Sequence, residues 1–461
     1  MTDAAIVAGP EAALAHAQRN RDRSIEALAE IVRIPSLTGE EGAAQARVAE
    51  LLGAMGAKVE SREPDVALIF ERFPNVAQYP THWQHDLILP YEELPTYAAL
   101  RESGLEDVLN YRGRPNVVGR FAGTGGGRSL ILNGHIDCVT IEPAGEWRHA
   151  PFGAEIEGGL MFGRGTSDMK GGLVAALMAV AYLREAGVRL KGDVIVQSVV
   201  NEEHAGNGTL DLVARGITAD AAIVLEPTEN RISVDHPGGL YWQVGVKGVA
   251  RSPGARWRGA TQEGVSAIEK LPAVIDALLA LERDYNREIG TPGDGVAPFA
   301  LVMGKIAGGT YETVTANRAV IRGGAYFMPD VGSVLDVMRA FRERLARVNA
   351  ADSFLAQNPA VLEFLHHDDS TRQRGDVLHA RCMAGLLHTH GCDSGVQPGP
   401  FACDMRHLVN QGGIPAMIFG PGTIAQAHKP DEHIPIGEYL DCIGHLIRFI
   451  HAWCGAEPGK G

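Results

Sequence analysis

Short apolar segments of strand length alternate with a helical segment between residues 129 and 225. The segments 129–133 (SLILN), 193–200 (DVIVQSVV) and 221–225 (AAIVL) have the composition of buried strands, and residues 171–185 have that of an apolar helix. Strands that alternate with helices are typical of a mostly parallel sheet covered by helices on both faces. The ends of such strands meet at one edge of the sheet, where ligands bind. We therefore expect an α/β domain whose chemistry collects just beyond these strands.

The pattern changes after residue 237. The predicted order there is strand 240–246, helix 264–285, strands 300–306 and 319–327, helix 331–348 and strand 360–365. A β-α-β-β-α-β order forms a split βαβ, or ferredoxin-like, α+β domain. The chain has 461 residues, which is more than one hydrophobic core usually serves. We therefore expect an inserted domain at 238–369 within a main domain of 1–237 and 370–461.

The N-terminal part carries two predicted helices. Residues 22–33 and 40–55 have apolar residues at helical spacing, with Pro35 between them and Thr38 as the predicted N-cap of the second helix. Residues 60–115 are rich in Pro, Tyr and Trp and have no clean period. We expect them to form an irregular insertion in the main domain.

Charge and composition exclude several classes of partner. A formal net charge of −14 argues against nucleic acid or an anionic membrane, because binding to either depends on a basic face. The first residues do not have the pattern of a secretory signal, and the longest apolar run, 173–182, is shorter than the ~20 residues that cross a bilayer. Six scattered cysteines without a CxxC pair favour free thiols in a reducing compartment. We expect a soluble, cytoplasmic protein.

Residues that can bind metals follow each predicted strand. They are His135 and Asp137 after 129–133, Glu202 and Glu203 after 193–200, Glu226 after 221–225, Asp168 just before helix 171–185, and His428 in a C-terminal glycine-rich loop. Taken singly, each has an ordinary interpretation; Asp168, for example, has the position of a helix N-cap. Gathered at one sheet edge, however, these groups would repel one another or stay unsatisfied unless cations compensated them. The set therefore predicts a site for divalent metal ions.

The ligand types indicate which metals. Carboxylates and imidazoles without thiolate favour zinc, with cobalt or manganese as possible substitutes. Two ions in a cocatalytic pair lie ~3.5–4 Å apart, so one carboxylate should bridge them. Asp168 is the expected bridge because it lies between a glycine-rich turn and a helix start. Asp137, two residues after His135, is expected to hold that imidazole in one tautomer.

Taken together, the motifs resemble the M20 family of metallopeptidases, and within it the acetylornithine deacetylase and succinyl-diaminopimelate desuccinylase branch. The similarity runs from about residue 25 to about residue 450, except for the stretch 60–115. The motifs that carry it are His135-x-Asp137, GRGTSDMKGG at 163–172, Asn201-Glu202-Glu203, Leu225-Glu226-Pro227-Thr228, Phe419-Gly420-Pro421-Gly422 and Ala427-His428-x-Pro430-Asp431-Glu432.

The resemblance implies a two-zinc hydrolase of amide bonds. The implied ligands are His135, Asp168 and Glu226 for one zinc ion and Asp168, Glu203 and His428 for the other. Glu202 would be the general base, which takes a proton from a water that bridges the metals and returns it to the leaving amine. Deacylation of a small N-acyl amino acid is the expected reaction, and a dipeptidase or carboxypeptidase is the alternative. A non-catalytic metal-binding protein is a remote alternative, because such a protein has no use for Glu202.

In this family the inserted domain acts as a lid and a dimerisation domain, and here the chain departs from the family pattern. The loop that carries a histidine in relatives has none, and it offers Arg251 instead. Tyr326 stands where many relatives have an arginine that binds a substrate carboxylate, and Arg322 is the expected substitute. Gly308 and Gly309 match a turn at which bare backbone approaches a ligand. We expect these two glycines and two arginines to bind a small-molecule substrate, and the chain to form a homodimer through the inserted domain.

Overall fold

The computed structural model describes residues 9–76, 102, 110–204, 206–290, 297–373 and 377–458. The helices are α1 (Pro10–Arg19), α2 (Arg21–Val32), α3 (Gly42–Ala54), α4 (Val66–Arg72), α5 (Gly171–Glu185), α6 (Asn207–Ala214), α7 (Ala267–Ile289), α8 (Val334–Ala351), α9 (Leu378–Thr389) and α10 (Ile436–Cys454). The strands are β1 (Lys58–Arg62), β2 (Asn116–Phe121), β3 (Leu130–His135), β4 (Glu155–Glu157), β5 (Leu160–Phe162), β6 (Val194–Val199), β7 (Ala221–Val224), β8 (Ile232–Ser233), β9 (Asp235–His236), β10 (Gly238–Lys247), β11 (Trp257–Arg258), β12 (Thr261–Gln262), β13 (Phe299–Gly308), β14 (Arg318–Phe327), β15 (Val361–Asp368), β16 (Thr371–Arg372), β17 (Val396–Gln397), β18 (Ala416–Ile418) and β19 (His433–Pro435). None of the helices in the described ranges has the length and hydropathy needed to cross a bilayer.

The described residues form two compact units. The first contains the residues up to 235 together with those from 372 onward, and the second contains residues 236–371. The centre of the first unit is an eight-stranded sheet in the order β1-β2-β6-β3-β7-β18-β8-β17. In this sheet β3 pairs in parallel with β6 and β7, and β7 pairs in parallel with β18, whereas β1–β2 and β2–β6 are antiparallel. The predicted mostly parallel sheet is therefore confirmed, and β3, β6 and β7 end at one edge.

Helix α5 packs against the ends of these strands. All of its residues from Gly171 to Leu183 are buried, as expected for a helix that is apolar on all sides. Gly172 permits a very close approach, because a Cβ at this position would lie 1.9 Å from the carbonyl oxygen of Leu225. Only a residue without a side chain fits there. The start of α5 therefore lies directly against the backbone that leads into Glu226.

The second unit is a four-stranded antiparallel sheet, in the order β13-β14-β10-β15, with α7 and α8 packed on it. Trp242 of β10 is fully buried, and its ring centroid lies 5.8 Å from that of Phe341 in α8. Its neighbour Tyr241, which points to the other face, is 45% exposed. The helices therefore cover one face of this sheet. The predicted β-α-β-β-α-β order is confirmed, with a short β11–β12 hairpin added after β10.

The prediction of an irregular stretch over residues 60–115 is wrong for its first part. Strand β1 pairs with β2 at the edge of the large sheet, and helix α4 follows it. The sequence of β1, KVESR, lacks the apolar alternation that identifies a strand, because an edge strand with exposed side chains has no need of it. Residues 77–101 and 103–109 lie outside the described residues.

Candidate metal centre

Asp168 lies between two imidazole rings. Its Oδ1 lies 3.1 Å from Nε2 of His135, and its Oδ2 lies 3.5 Å from Nε2 of His428. Each oxygen of this nearly buried carboxylate thus faces a different imidazole. A carboxylate arranged in this way is suited to bridge two cations.

Three glutamates surround the two histidines. Oε2 of Glu203 lies 2.9 Å from Nε2 of His428. Oε1 of Glu226 and Oε2 of Glu202 lie 3.8 Å and 4.0 Å from Nε2 of His135. The site therefore has two halves, one around each imidazole.

The strand order accounts for this convergence. His135 is the last residue of β3, while Glu202 and Glu203 follow β6 and Glu226 follows β7, the two parallel neighbours of β3. The remaining members come from the turn before α5 and the loop after β18. The structure thus brings together seven side chains, which we call the site cluster: His135, Asp137, Asp168, Glu202, Glu203, Glu226 and His428.

Two residues at the site have left-handed backbone conformations. Asn201, which precedes Glu202 and Glu203 (the glutamate pair), has a φ of 65°, and His428 has a φ of 61°. Non-glycine residues rarely adopt such angles, which cost of order 1–3 kcal/mol and are concentrated at functional sites. The backbone is therefore constrained where it presents these ligands.

Asp137 anchors the turn that carries the glutamate pair. Its Oδ1 accepts a hydrogen bond from the backbone N–H of Glu202 at 3.1 Å, and its Oδ2 accepts one from that of Glu203 at 3.3 Å. Nδ1 of His135 lies 2.9 Å from the carbonyl oxygen of Asp137 but 3.8 Å from its carboxylate. The backbone of Asp137 therefore orients the imidazole, while its side chain orients the glutamates.

Thr38 completes the contacts of this aspartate. Its hydroxyl donates a hydrogen bond to Oδ2 of Asp137 at 2.8 Å. The prediction that Thr38 caps the second helix is wrong, because α3 begins at Gly42 with Glu41 in the cap position. A threonine just before a helix looks the same in the sequence whether its hydroxyl bonds the helix or a distant carboxylate.

The carboxyl groups of the cluster lie where little solvent reaches them. Burial raises the pKa of both Glu202 and Glu226 well above that of a solvated glutamate. Among the described residues, no hydrogen bond reaches either carboxylate. Burial would also raise the pKa of Asp168, but the two imidazoles outweigh it and lower that pKa. Both carboxylates face the single imidazole of His135, and burying two negative charges beside one imidazole is costly, so this half of the site calls for a further cation.

The neighbouring carboxylates favour the protonated forms of the two imidazoles in the metal-free protein. The charge of Glu203 is the largest cause that raises the pKa of His428, to about 11. Burial alone would lower the pKa of His135, but its hydrogen bond with Asp168 and the neighbouring carboxylates raise it well above its usual value. Bound divalent cations would take the place of these protons.

The donor set fits divalent metal ions. Two groups of donor atoms lie within 4.8 Å of one another, His135 with Asp168 and Glu203, and His135 with Glu202 and Glu226. Carboxylate oxygens and imidazole nitrogens suit zinc, cobalt and manganese. The nearby thiol of Cys138 instead donates to the carbonyl of Ser36, with Sγ and the oxygen 3.5 Å apart. The grouping differs from the ligand sets that the resemblance implies, since Asp168 is only in the first group and His428 is in neither.

A buried ion pair lies next to the site cluster, and it was not predicted from the sequence. Nη1 of Arg164 donates to Oε2 of Glu432 at 2.6 Å, and each side chain is 1% exposed. Oε1 of Glu432 accepts hydrogen bonds from the backbone N–H groups of Ser167 and Asp168 at 3.0 Å and 3.1 Å. Glu432 thus fixes the turn that presents Asp168. Both charged residues lie within the motifs quoted above, but they are 268 positions apart, so spacing does not reveal that they pair.

The second unit holds the residues expected to bind substrate. Arg251, Gly308 and Gly309 line one cavity of about 590 Å³. Arg322 does not join them, because it lies on β14, where its Nε donates to Oε1 of Gln243 at 2.8 Å. The structure therefore brings three of the four residues together.

One family model and several named proteins are similar to this chain in sequence. The model of a family described as peptidase family M20/M25/M40 matches residues 131–452. The chain is 31% identical over 365 residues to N-formyl-4-amino-5-aminomethyl-2-methylpyrimidine deformylase of Bacillus subtilis, covering 75% of this chain and 85% of that protein. It is 31% identical over 292 residues to succinyl-diaminopimelate desuccinylase of Methylocella silvestris, covering 59% and 72%. It is 29% identical over 363 residues to acetylornithine deacetylase of Myxococcus xanthus, covering 78% and 87%.

Solved structures share the fold. A tripeptidase from Staphylococcus aureus superposes with a TM-score of 0.67 at 18% identity, over 94% of this chain and 97% of that one. A Bacillus subtilis protein described as a dinuclear metal binding peptidase superposes with a TM-score of 0.59 at 13% identity, over 95% and 100%. At these identities the likeness concerns the fold alone.

Metal binding at this site should release protons. Because the pKa of both imidazoles is raised in the metal-free protein, we expect zinc to displace protons when it binds and its affinity to rise with pH. Titration calorimetry in buffers of different ionisation enthalpy measures this release. The variant His428→Gln should release fewer protons than the parent protein. A binding enthalpy that does not depend on the buffer would contradict the described charge state.

Proposed function

We propose that this chain, which belongs to peptidase family M20/M25/M40, releases the acyl group of a small N-acyl amino acid. Members of this family are metal-dependent hydrolases that act on amide bonds, and this chain is one of them. The observation that carries the proposal is the carboxylate of Asp168, whose two oxygens face different imidazoles with Glu202 beside one of them. Deacylation is preferred because the deformylase, desuccinylase and deacetylase relatives are each named for removal of an acyl group.

The site cluster supplies the ligands in this proposal. His135, Asp168 and Glu226 would hold one ion, and Asp168, Glu203 and His428 would hold the other. Zinc is the proposed metal, with cobalt or manganese able to replace it. When bound, two such cations polarise the amide carbonyl and lower the pKa of a water molecule.

Glu202 is the proposed general base. Its backbone is held by Asp137, and its side chain is 11% exposed. Its carboxylate accepts a proton from the water whose oxygen attacks the carbonyl carbon, and it returns that proton to the amine nitrogen as the C–N bond breaks. Burial, which raises the pKa of Glu202, helps it to hold the proton between the two steps. A non-catalytic metal-binding protein would not need this group.

A dipeptidase or carboxypeptidase is the alternative within the same chemistry. It would use the same ligands and the same base, because a peptide bond is also an amide. The similar peptidase structures do not favour it, since at 18% identity or less they share only the fold.

A second candidate is the deformylation of an aminomethyl-substituted heteroaromatic amine, the reaction for which the Bacillus subtilis relative is named. Tyr326 favours it, because it stands where the family resemblance places a carboxylate-binding arginine. Its hydroxyl lies 3.5 Å from that of Tyr241, and the two residues are 40% and 45% exposed. Tyrosines cannot form an ion pair with a carboxylate, but their rings stack well on planar heterocycles.

The second unit has two further proposed roles. Arg251, Gly308 and Gly309 are proposed to bind the part of the substrate remote from the amide. A homodimer is proposed to form through β13, an edge strand on which Val302 and Ile306 are 57% and 64% exposed.

A substrate panel separates these reactions. We expect kcat/KM to be roughly tenfold or more higher for N-acetyl and N-succinyl amino acids than for matched dipeptides or for N-formyl-aminomethylpyrimidine. Amino acid amides that carry the same acyl groups serve as controls for recognition of the carboxylate. Turnover of dipeptides alone would establish the peptidase alternative, and preferential turnover of the formylated pyrimidine would establish the second candidate.

The variant Glu202→Ala tests the general base. We expect it to keep its bound metal but to lose roughly 10²–10⁴-fold in kcat, because proton transfer is lost while the ligands remain. Steady-state kinetics together with elemental metal analysis measure both quantities. Glu26→Ala is the matched control, since that glutamate lies on α2 with its side chain 67% exposed, and it should keep parental kcat. Near-parental turnover by Glu202→Ala would place the base elsewhere.

A further inference from the structure

The turn between residues 201 and 206 carries the glutamate pair and is closed at both ends. The backbone N–H of Gly206 donates to the carbonyl of Asn201 at 2.9 Å. Oδ1 of Asn201 accepts a hydrogen bond from the hydroxyl of Tyr111 at 2.5 Å. Both end residues have a φ of 65°. The position of the Glu202 carboxylate therefore depends on where these two ends are held.

Gly206 packs against three buried polar side chains. A Cβ at Gly206 would lie 2.5 Å from Nε2 of His407, 2.7 Å from Nη2 of Arg406 and 2.8 Å from Oδ1 of Asp404. None of these three side chains is more than 3% exposed. The C-terminal end of the turn thus packs directly against side chains from the segment 404–407.

Asp404 is fixed in turn by a hydrogen-bonded chain that starts on the strands of the site. The Oγ1 hydroxyl of Thr209 donates to Oδ2 of Asp404 at 2.6 Å and accepts from Nδ2 of Asn133 at 2.9 Å. Nδ2 of Asn133 also donates to Oε1 of Gln197 at 3.0 Å. Asn133 lies on β3 two residues before His135, and Gln197 lies on β6, which leads into the glutamate pair. The chain therefore ties the support of the turn to the two strands that carry the site.

The burial of Asp404 has a desolvation cost that a packing role alone does not explain. It is 1% exposed, and its Oδ1 has no hydrogen-bond partner in the described part of the chain. A neutral side chain would fill this space at a lower cost of desolvation. The carboxylate of Asp404 lies beside Gly206 and Thr209 at the start of α6. Backbone N–H groups at a helix start favour negative charge, which offsets part of this cost.

We propose that Thr209 and Asp404 are positioning residues for the Glu202 carboxylate. Asp137 holds the turn through the backbone N–H groups of the two glutamates, and Asp404 supports the C-terminal end of the turn at Gly206. This inference rests on the proposed function, because it assigns the two residues to the proton-transfer step. A displacement of about 1 Å at a catalytic group costs on the order of 10²-fold in rate.

The variant Thr209→Val tests this role because it removes one hydroxyl and preserves the shape of the side chain. We expect kcat to fall by roughly 10- to 100-fold, with KM and metal content unchanged. Thr209→Ser should restore kcat. The control Ser24→Ala removes a buried hydroxyl on α2, bonded to the hydroxyl of Tyr182 at 2.7 Å, and should leave kcat unchanged.

A double-mutant cycle decides whether Thr209 acts through Glu202. In a Glu202→Ala background, adding Thr209→Val should cause no further loss of kcat. A further loss of equal size in that background would overturn the inference, as would an unchanged kcat in Thr209→Val alone or a fall that follows loss of metal. If Thr209→Val does not fold, Asp404→Asn takes its place in the same cycle. Near-parental turnover by Glu202→Ala would refute the proposed function itself, so the two failures are distinct.

Discussion

Negative charge that is buried at one edge of the main sheet is the constraint on which the rest of the structure depends. Glu202 and Glu226 lie near His135 without a hydrogen bond to either carboxylate in the described residues, and Asp168 is shared between two imidazoles. Such an arrangement is unfavourable by itself, because burial disfavours charged groups that have no partner. Divalent cations would supply the missing charge, and this requirement links the fold to the chemistry.

The surrounding fold serves to hold this charge in place. Gly172 lets α5 approach the backbone before Glu226, and the carboxylate of Glu432 fixes the turn that presents Asp168. Asp137 binds the two backbone N–H groups of the glutamate pair. Each of these contacts acts on backbone beside a ligand, so the ligands themselves remain available to metal. This division of roles explains why so many charged residues are buried around the site.

Much of this arrangement could be predicted from the sequence, because parallel strands that neighbour one another must end together. The apolar strand segments predicted that His135, the glutamate pair and Glu226 lie together at the strand ends. The β-α-β-β-α-β order predicted the fold of the second unit. The exposed strand β1 was missed because its side chains show no apolar period. The pairing of Arg164 with Glu432 was missed because a contact between distant positions leaves no trace in local spacing. The true partner of Thr38 was hidden for the same reason.

The central claim is that the site cluster binds two divalent cations that share Asp168. Anomalous X-ray diffraction from zinc-loaded crystals, measured on both sides of the zinc absorption edge, tests it most directly. The account predicts two peaks roughly 3.5–4 Å apart, each next to a different oxygen of the Asp168 carboxylate. Zinc peaks remote from Asp168, or no zinc peak at the cluster under saturating metal, would contradict it.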